Sequence, residues 1–236
     1  MSSLIITLDG PAGSGKSTVA RRLAKQLGLE FLDTGAMYRG VAALCVDAGV
    51  DPSSDPDRAG NLARDAHLRF DWTTDPPHLY INDIDVTARL RDSDVTARVS
   101  PVAAIGAVRE VLVRAQQCIG GEHQRLVTEG RDQGSVVFPD ADVKFYLDAN
   151  PQVRARRRAD EIRRAGMNVD ETEILQQITE RDQLDSIRRD GPLICPDDAR
   201  RIDTSDMTLD QVVGHLENEV RQSVGTEIEL QPKGLA

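Results

Sequence analysis

Short apolar runs alternate along the chain with segments whose apolar residues recur at helical spacing. Leu4–Leu8 is such a run; it stops at Asp9 and enters a glycine-rich loop. Val19, Ala20, Leu23, Ala24 and Leu27 then predict a helix over Ser17–Leu27, closed by Gly28. Leu29–Leu32 predicts a second strand and Gly35–Ala48 a second helix, ended by Gly49, while Asp51–Asp57 is a loop by composition. From His67 to Val86 the rhythm changes. His67–Trp72 and His78–Asn82 predict short strands around a turn at Thr74–Pro77, a small antiparallel insertion. Ser93–Gly120 reads as helices interrupted near Pro101 and Gly106. Strands resume at Leu126–Thr128 and Val143–Leu147, and charged helices follow at Gln152–Ala165 and Asp170–Arg189. A short strand near Ile202, a helix over Leu209–Gln222 and a polar tail from Gly225, expected to fray, complete the pattern. The class is α/β, with five strands in a parallel sheet and helices on both faces. Ligands then gather at the carboxyl ends of the strands.

Composition narrows the field. A hydrophobic content of 39% over 236 residues excludes wholesale disorder. The net charge of −10 argues against a nucleic-acid partner, because the field repels polyphosphate. No run of 18 apolar residues and no secretory leader are present, so no membrane partner is expected, and a cytoplasmic monomer is. Cys45, Cys118 and Cys195 lie far apart, against a disulfide framework or a zinc site. The basic residues are oddly divided, 25 arginines to four lysines.

One of those lysines closes a phosphate-binding motif. Gly10, Pro11, Ala12, Gly13, Ser14, Gly15, Lys16, Ser17 and Thr18 match GxxxxGK[ST] between a predicted strand and a predicted helix. Its backbone N–H groups converge on phosphate oxygens at a helix N-terminus, Lys16 reaches the outer phosphates, and Ser17 can ligate Mg²⁺. ATP and Mg²⁺ are the expected cofactors. No NKxD base-reading string of a guanine-nucleotide switch occurs. Phe145–Asp148 and Leu126–Glu129 only partly resemble the acidic strand of a motor ATPase; either could tune the metal, and the favoured reading of both is a core strand followed by a polar turn.

The arginines favour a kinase. Eleven of the 25 fall between Arg154 and Arg201, and Arg39, Arg109 and Arg131 sit at predicted element ends. Phosphoryl transfer between two anions needs their repulsion cancelled, and guanidinium does this without losing its proton. Arg154, Arg156, Arg157, Arg158, Arg163 and Arg164, about half of the Arg154–Arg201 cluster, read instead for the most part as a solvated helix face paired with Asp160 and Glu161.

Five segments in order resemble the bacterial type of cytidylate kinase over Leu4–Gln222: ITLDGPAGSGKST, LDTGAMYR, DVTARLRDSDVTARVSPVA, EGRDQGSVVFPDA and ERDQLDSIR. The resemblance implies a P-loop kinase fold with core segments 1–33, 121–150 and 190–224. A monophosphate-binding insertion would span about 34–120 and a helical lid about 151–170. It implies phosphorylation of CMP and dCMP. Arg39, Arg131 and Arg188 would grip the acceptor phosphate, Arg181 and Asp185 the sugar hydroxyls and nearby phosphate oxygens, assisted by Thr34. Ser100, Arg109 and Asp132 would read the cytosine edge, and Lys16, Arg131, Arg181 and Arg188 would carry catalysis. Arg157 is the candidate lid contact. Trp72 and Tyr80 are assigned to the core of the insertion. The chain departs from the family at Ile187, usually polar, at Gln133, usually apolar, and at Arg200 and Arg201, which suggest a short edge strand. A small P-loop kinase for UMP, AMP or a polar metabolite remains the enzymatic alternative, and a nucleotide switch the non-enzymatic one.

Overall fold

A computed structural model describes residues 3–164, 166–225 and 230. The predicted tail falls almost wholly outside them. Strands β1 (Leu4–Asp9), β2 (Glu30–Asp33), β6 (Arg125–Glu129), β7 (Val143–Asp148) and β8 (Arg200–Asp203) form one parallel sheet in the order β2-β6-β1-β7-β8. Strand side chains alternate between faces. Phe31 and Val127 therefore pack with β1, α1 (Lys16–Leu27) and α8 (Leu209–Val224), while Leu32 and Leu126 pack into a second core on the other face. Arg200 and Arg201 are exposed on a four-residue edge strand, as expected.

That second core belongs to α2 (Thr34–Asp47), α4 (Ser93–Ala103), α5 (Gly106–Glu122) and a three-stranded antiparallel sheet of β3 (Leu68–Asp71), β4 (His78–Ile81) and β5 (Ile84–Asp85). The predicted loop holds over residues 51–55, and its last two residues begin helix α3 (Pro56–Asp65), an element the sequence reading does not name; Asp55 caps the Arg58 N–H and Pro56 occupies the first helical turn. Trp72 packs at the core as expected, but Tyr80 is half-exposed beneath the Arg69 guanidinium. Helices α6 (Pro151–Arg164) and α7 (Glu171–Ile187) share a small core of Ala155, Ile174 and Ile178. Every strand of the parallel sheet ends in an acid: Asp9, Asp33, Glu129, Asp148 and Asp203.

Candidate active site

The P-loop leaves the central strand through Gly10, whose φ of +146° and close approach to the Leu147 carbonyl leave no room for a side chain. Gly15, at φ +85°, starts α1 without a capping side chain and without an acid in the first turn, so the helix N-terminus keeps its affinity for anions. Lys16 is buried and folds back over the loop, donating to the Pro11 carbonyl at 2.8 Å. Burial, with the Arg131 and Arg181 guanidiniums nearby, pushes its pKa down to about 7.

Strand order brings three of the terminal acids to this loop. Ser17 donates its hydroxyl to Glu129 at 2.7 Å, and Asp33 stands opposite Glu129 in the register of β2 and β6. Burial and the Glu129 carboxylate push the Asp33 carboxyl up. A cleft of about 680 Å³ reaches Ser17, Thr18 and Asp33 from the side of Asp75, Pro76 and Arg91. Glu129 thus ends a core strand, as expected, and stands within hydrogen-bond reach of the Ser17 hydroxyl.

Asp9 faces the other way. Its carboxylate accepts from the Gln133 N–H at 2.9 Å and the Gly134 N–H at 2.7 Å, fixing a π-helical turn at Gln133–Val137. Burial outweighs these two bonds and, with Asp132 adding and Lys16 opposing, pushes Asp9 up to about 6. A carboxyl raised in the folded state stabilises most below its unfolded pKa and loses that advantage as pH rises through about 6. The stability of the natural protein relative to Asp9→Asn is therefore expected to fall by about 2 kcal/mol between pH 4.5 and 7.5. Urea unfolding of both proteins at the two pH values measures it, and a difference that is flat or rises with pH refutes it.

Three arginines converge on one buried acid. Asp185 accepts from Arg131 Nε at 2.8 Å and lies 3.6 Å from Arg188. Burial works to raise its pKa, but Arg131, Arg181 and Arg188 together hold it below the usual carboxylate range. Arg181 is desolvated and crowded by Arg131, which lowers it to about 10, and its Nε is buried without a hydrogen-bond partner among the described residues. Arg39 reaches the Leu90 carbonyl and the Thr96 hydroxyl. Thr34 donates to the Glu129 carbonyl at 2.7 Å. Asp132 pairs with Arg109 in the interior, under Gly191, whose φ of +58° lets the chain pass directly over both. Arg109 also donates to the Tyr38 hydroxyl at 3.2 Å. Ser100 is half-buried on α4.

Two contributors escaped the sequence reading. Arg154, counted with the solvated arginines, is 4% exposed and donates to the Ala12 carbonyl of the P-loop at 2.9 Å. Asp182 accepts from the Ala12 N–H at 3.0 Å and pairs with Arg154. The pair thus holds one P-loop residue, through its N–H and its carbonyl, from α6 and α7 together. The only available signal was the small-residue stripe of Ala155 and Ala159, which marks the buried side of α6. Arg157 donates to the Thr204 carbonyl and hydroxyl, in the loop after β8. Arg158 and Arg163 do pair with Glu161 and Asp160 at the surface.

The family model described as cytidylate kinase matches residues 6–222. A cytidylate kinase of Mycobacterium avium (strain 104) is 44% identical over 219 residues, covering 93% of this chain and 96% of that protein. One from Parabacteroides distasonis is 38% identical over 230 residues, covering 96% and 100%. Among solved structures, an uncharacterized protein from Eubacterium ventriosum superposes with a TM-score of 0.51 at 13% identity, covering 94% of this chain and 99% of that one, which is a likeness of fold. No described helix is long and apolar enough to cross a membrane. The sheet order, the phosphate loop and the arginine cluster on one side, and the extent of the match on the other, agree: the chain belongs to the cytidylate kinase family.

Proposed function

We propose that the chain transfers the γ-phosphoryl group of ATP to CMP and dCMP. The observation that carries this reading is the adjacency of two differently built charge centres. The Arg131–Arg181–Arg188 cluster around Asp185 suits a phosphate, and the buried Arg109–Asp132 pair suits a base edge with a donor and acceptors. At pH 7 a nucleoside monophosphate has largely lost its second proton, whose pKa is about 6, so the attacking oxygen needs no general base. What it needs is alignment and relief from repulsion by the donor phosphates. Lys16 and the α1 N-terminus hold the donor, while Arg131, Arg181, Arg188 and Arg39 bring the acceptor against it and spread over the charge that develops in transfer. Closure of α6 and α7 over the phosphates would exclude water, and the Arg154–Asp182 grip on Ala12 gives that closure a fixed point on the P-loop.

The donors around Ser17 are all oxygen, a hydroxyl and the carboxylates of Glu129 and Asp33, which is the chemistry a hard divalent cation takes. These three residues would hold Mg²⁺, and the ion supplies charge neutralisation across the outer phosphate oxygens when bound. Ser17 donates its proton to Glu129, leaving its lone pairs free to ligate.

An acceptor panel of CMP, dCMP, UMP and AMP in an ADP-release assay tests the reading, with CMP and dCMP expected first. AMP or UMP leading would overturn the base assignment. Asp132→Ala is expected to raise the KM for CMP by about 10- to 100-fold with kcat changed little, the loss of a specific polar contact to the base. A fall in kcat at unchanged KM would remove Asp132 from base recognition.

A further inference from the structure

Gln133 stands between the two halves of the site. It follows Asp132 directly, and its side chain is 1% exposed. Asp9, at the root of the P-loop, holds its backbone N–H. Its Oε1 accepts from the Thr128 hydroxyl on β6 at 2.9 Å, and its Nε2 donates to Gln116 Oε1 on α5 at 3.0 Å. Gln116 is itself fully buried, and its Nε2 has no hydrogen-bond partner among the described residues. The Tyr38 hydroxyl accepts from Arg109. Arg109 in turn pairs with Asp132. The contacts therefore form one chain, from Thr128 and Gln116 through Gln133 to its neighbour Asp132, and from Asp132 through Arg109 to Tyr38.

Two buried primary amides are a costly way to fill space. Each carries a desolvation penalty of about 1–3 kcal/mol that a methionine of similar length avoids. In return, a buried polar network allows one arrangement of its members where an apolar core allows several. We propose that Gln133 and Gln116 are positioning residues for base selection, fixing the Arg109–Asp132 pair in the orientation that separates cytosine from uracil. The inference rests on the assignment of that pair to the base edge. Cytosine presents an amino donor at ring position 4, where uracil presents a carbonyl acceptor. A carboxylate held in place accepts from the first and repels the second. A guanidinium free to swing donates to the second, so a loosened pair loses selectivity before it loses turnover.

Gln133→Met and Gln116→Met, singly and together, test this with kcat and KM for CMP and UMP and with thermal unfolding. The ratio of kcat/KM for CMP over UMP is expected to fall about tenfold in each single variant. The double variant falls little further, because the two amides are bonded to each other and Gln116 acts through Gln133. The kcat for CMP and the KM for ATP stay within about twofold of the natural protein. A ratio within twofold of the natural value in either folded variant overturns the proposal. So does an equal loss for both acceptors, the mark of a merely structural role. Should Gln133→Met fail to fold, Gln116→Met alone decides it. Asp132→Asn separates the two layers. If its ratio falls while those of the glutamine variants do not, only the positioning role of the glutamines is refuted. If its ratio is unchanged, the base-edge assignment fails.

Discussion

Lys16→Met is expected to lower kcat by at least about 10³-fold at saturating substrates, or about 4 kcal/mol of transition-state stabilisation, while the unfolding temperature is held or raised. The two effects separate because the free protein gives the Lys16 charge a poor environment. Burial and the Arg131 and Arg181 guanidiniums depress its pKa to about 7, and its hydrogen bond to Pro11 stays inside the loop. Methionine keeps the stem and removes a charge that these buried surroundings do not favour. On the proposed reading, donor phosphates would reverse that environment, and the ammonium would then face the oxygens on which charge accumulates. A single well-placed donor to a developing oxyanion is worth 10²–10³ in rate, and a full charge in a water-poor site more. Steady-state ADP release beside a thermal melt measures both quantities. A kcat within tenfold of the natural protein would remove Lys16 from the chemistry.

How far the site was legible depends on whether a residue's role is local. The P-loop is local: Gly10, Gly15 and Lys16 act through backbone conformations and a helix end set within nine residues, so their spacing carries the meaning. Arg154 and Arg158 belong to one run of arginines that spacing alone separates poorly. The first meets Ala12 and Asp182, far away in sequence, while the second meets Glu161 one turn on. The acids at the strand ends behave the same way. All five are visible in the sequence, but only strand order makes Asp9, Asp33 and Glu129 neighbours of the loop. Asp148 is left with Arg201, and Asp203 ends the edge strand. Helix α3 was missed for a different reason: Asp55-Pro56 is both a turn signal and a helix start, and only the packing of Ala59 and Ala63 decides between them.

The division of basic residues also takes on a physical sense. A carboxyl edge ringed with acids would repel two nucleotides, and a net charge of −10 adds to the difficulty. Buried guanidiniums, which keep their charge where Lys16 is pushed toward losing its own, restore a local positive field without changing the sign of the outer surface. Arginine in the interior and acid outside is therefore one arrangement rather than two.

Asp185 holds that arrangement together, and Asp185→Ala is expected to lower the stability of the ligand-free protein by about 3–5 kcal/mol at pH 7. For a domain of this size the unfolding temperature should drop by on the order of 10 °C. Asp185 is 5% exposed and meets Arg131 at 2.8 Å and Arg188 at 3.6 Å, with Arg181 acting on it as well. Without it, three guanidiniums share one pocket with no central counter-charge. The pH dependence has a definite sign. Because the folded state depresses the Asp185 pKa, its contribution is complete above the unfolded value of 3.8 and is lost as pH falls through the lower folded one. The two proteins should therefore converge in acid. Inorganic phosphate offers the missing charge, so at neutral pH it should stabilise the variant more than the natural protein, by mass action on the folded state. Thermal melts from pH 3 to 8, with and without phosphate, measure all three effects. A variant as stable as the natural protein at pH 7, with no larger gain from phosphate, would mean that the arginines neutralise one another's repulsion through solvent and that Asp185 is not their organising charge.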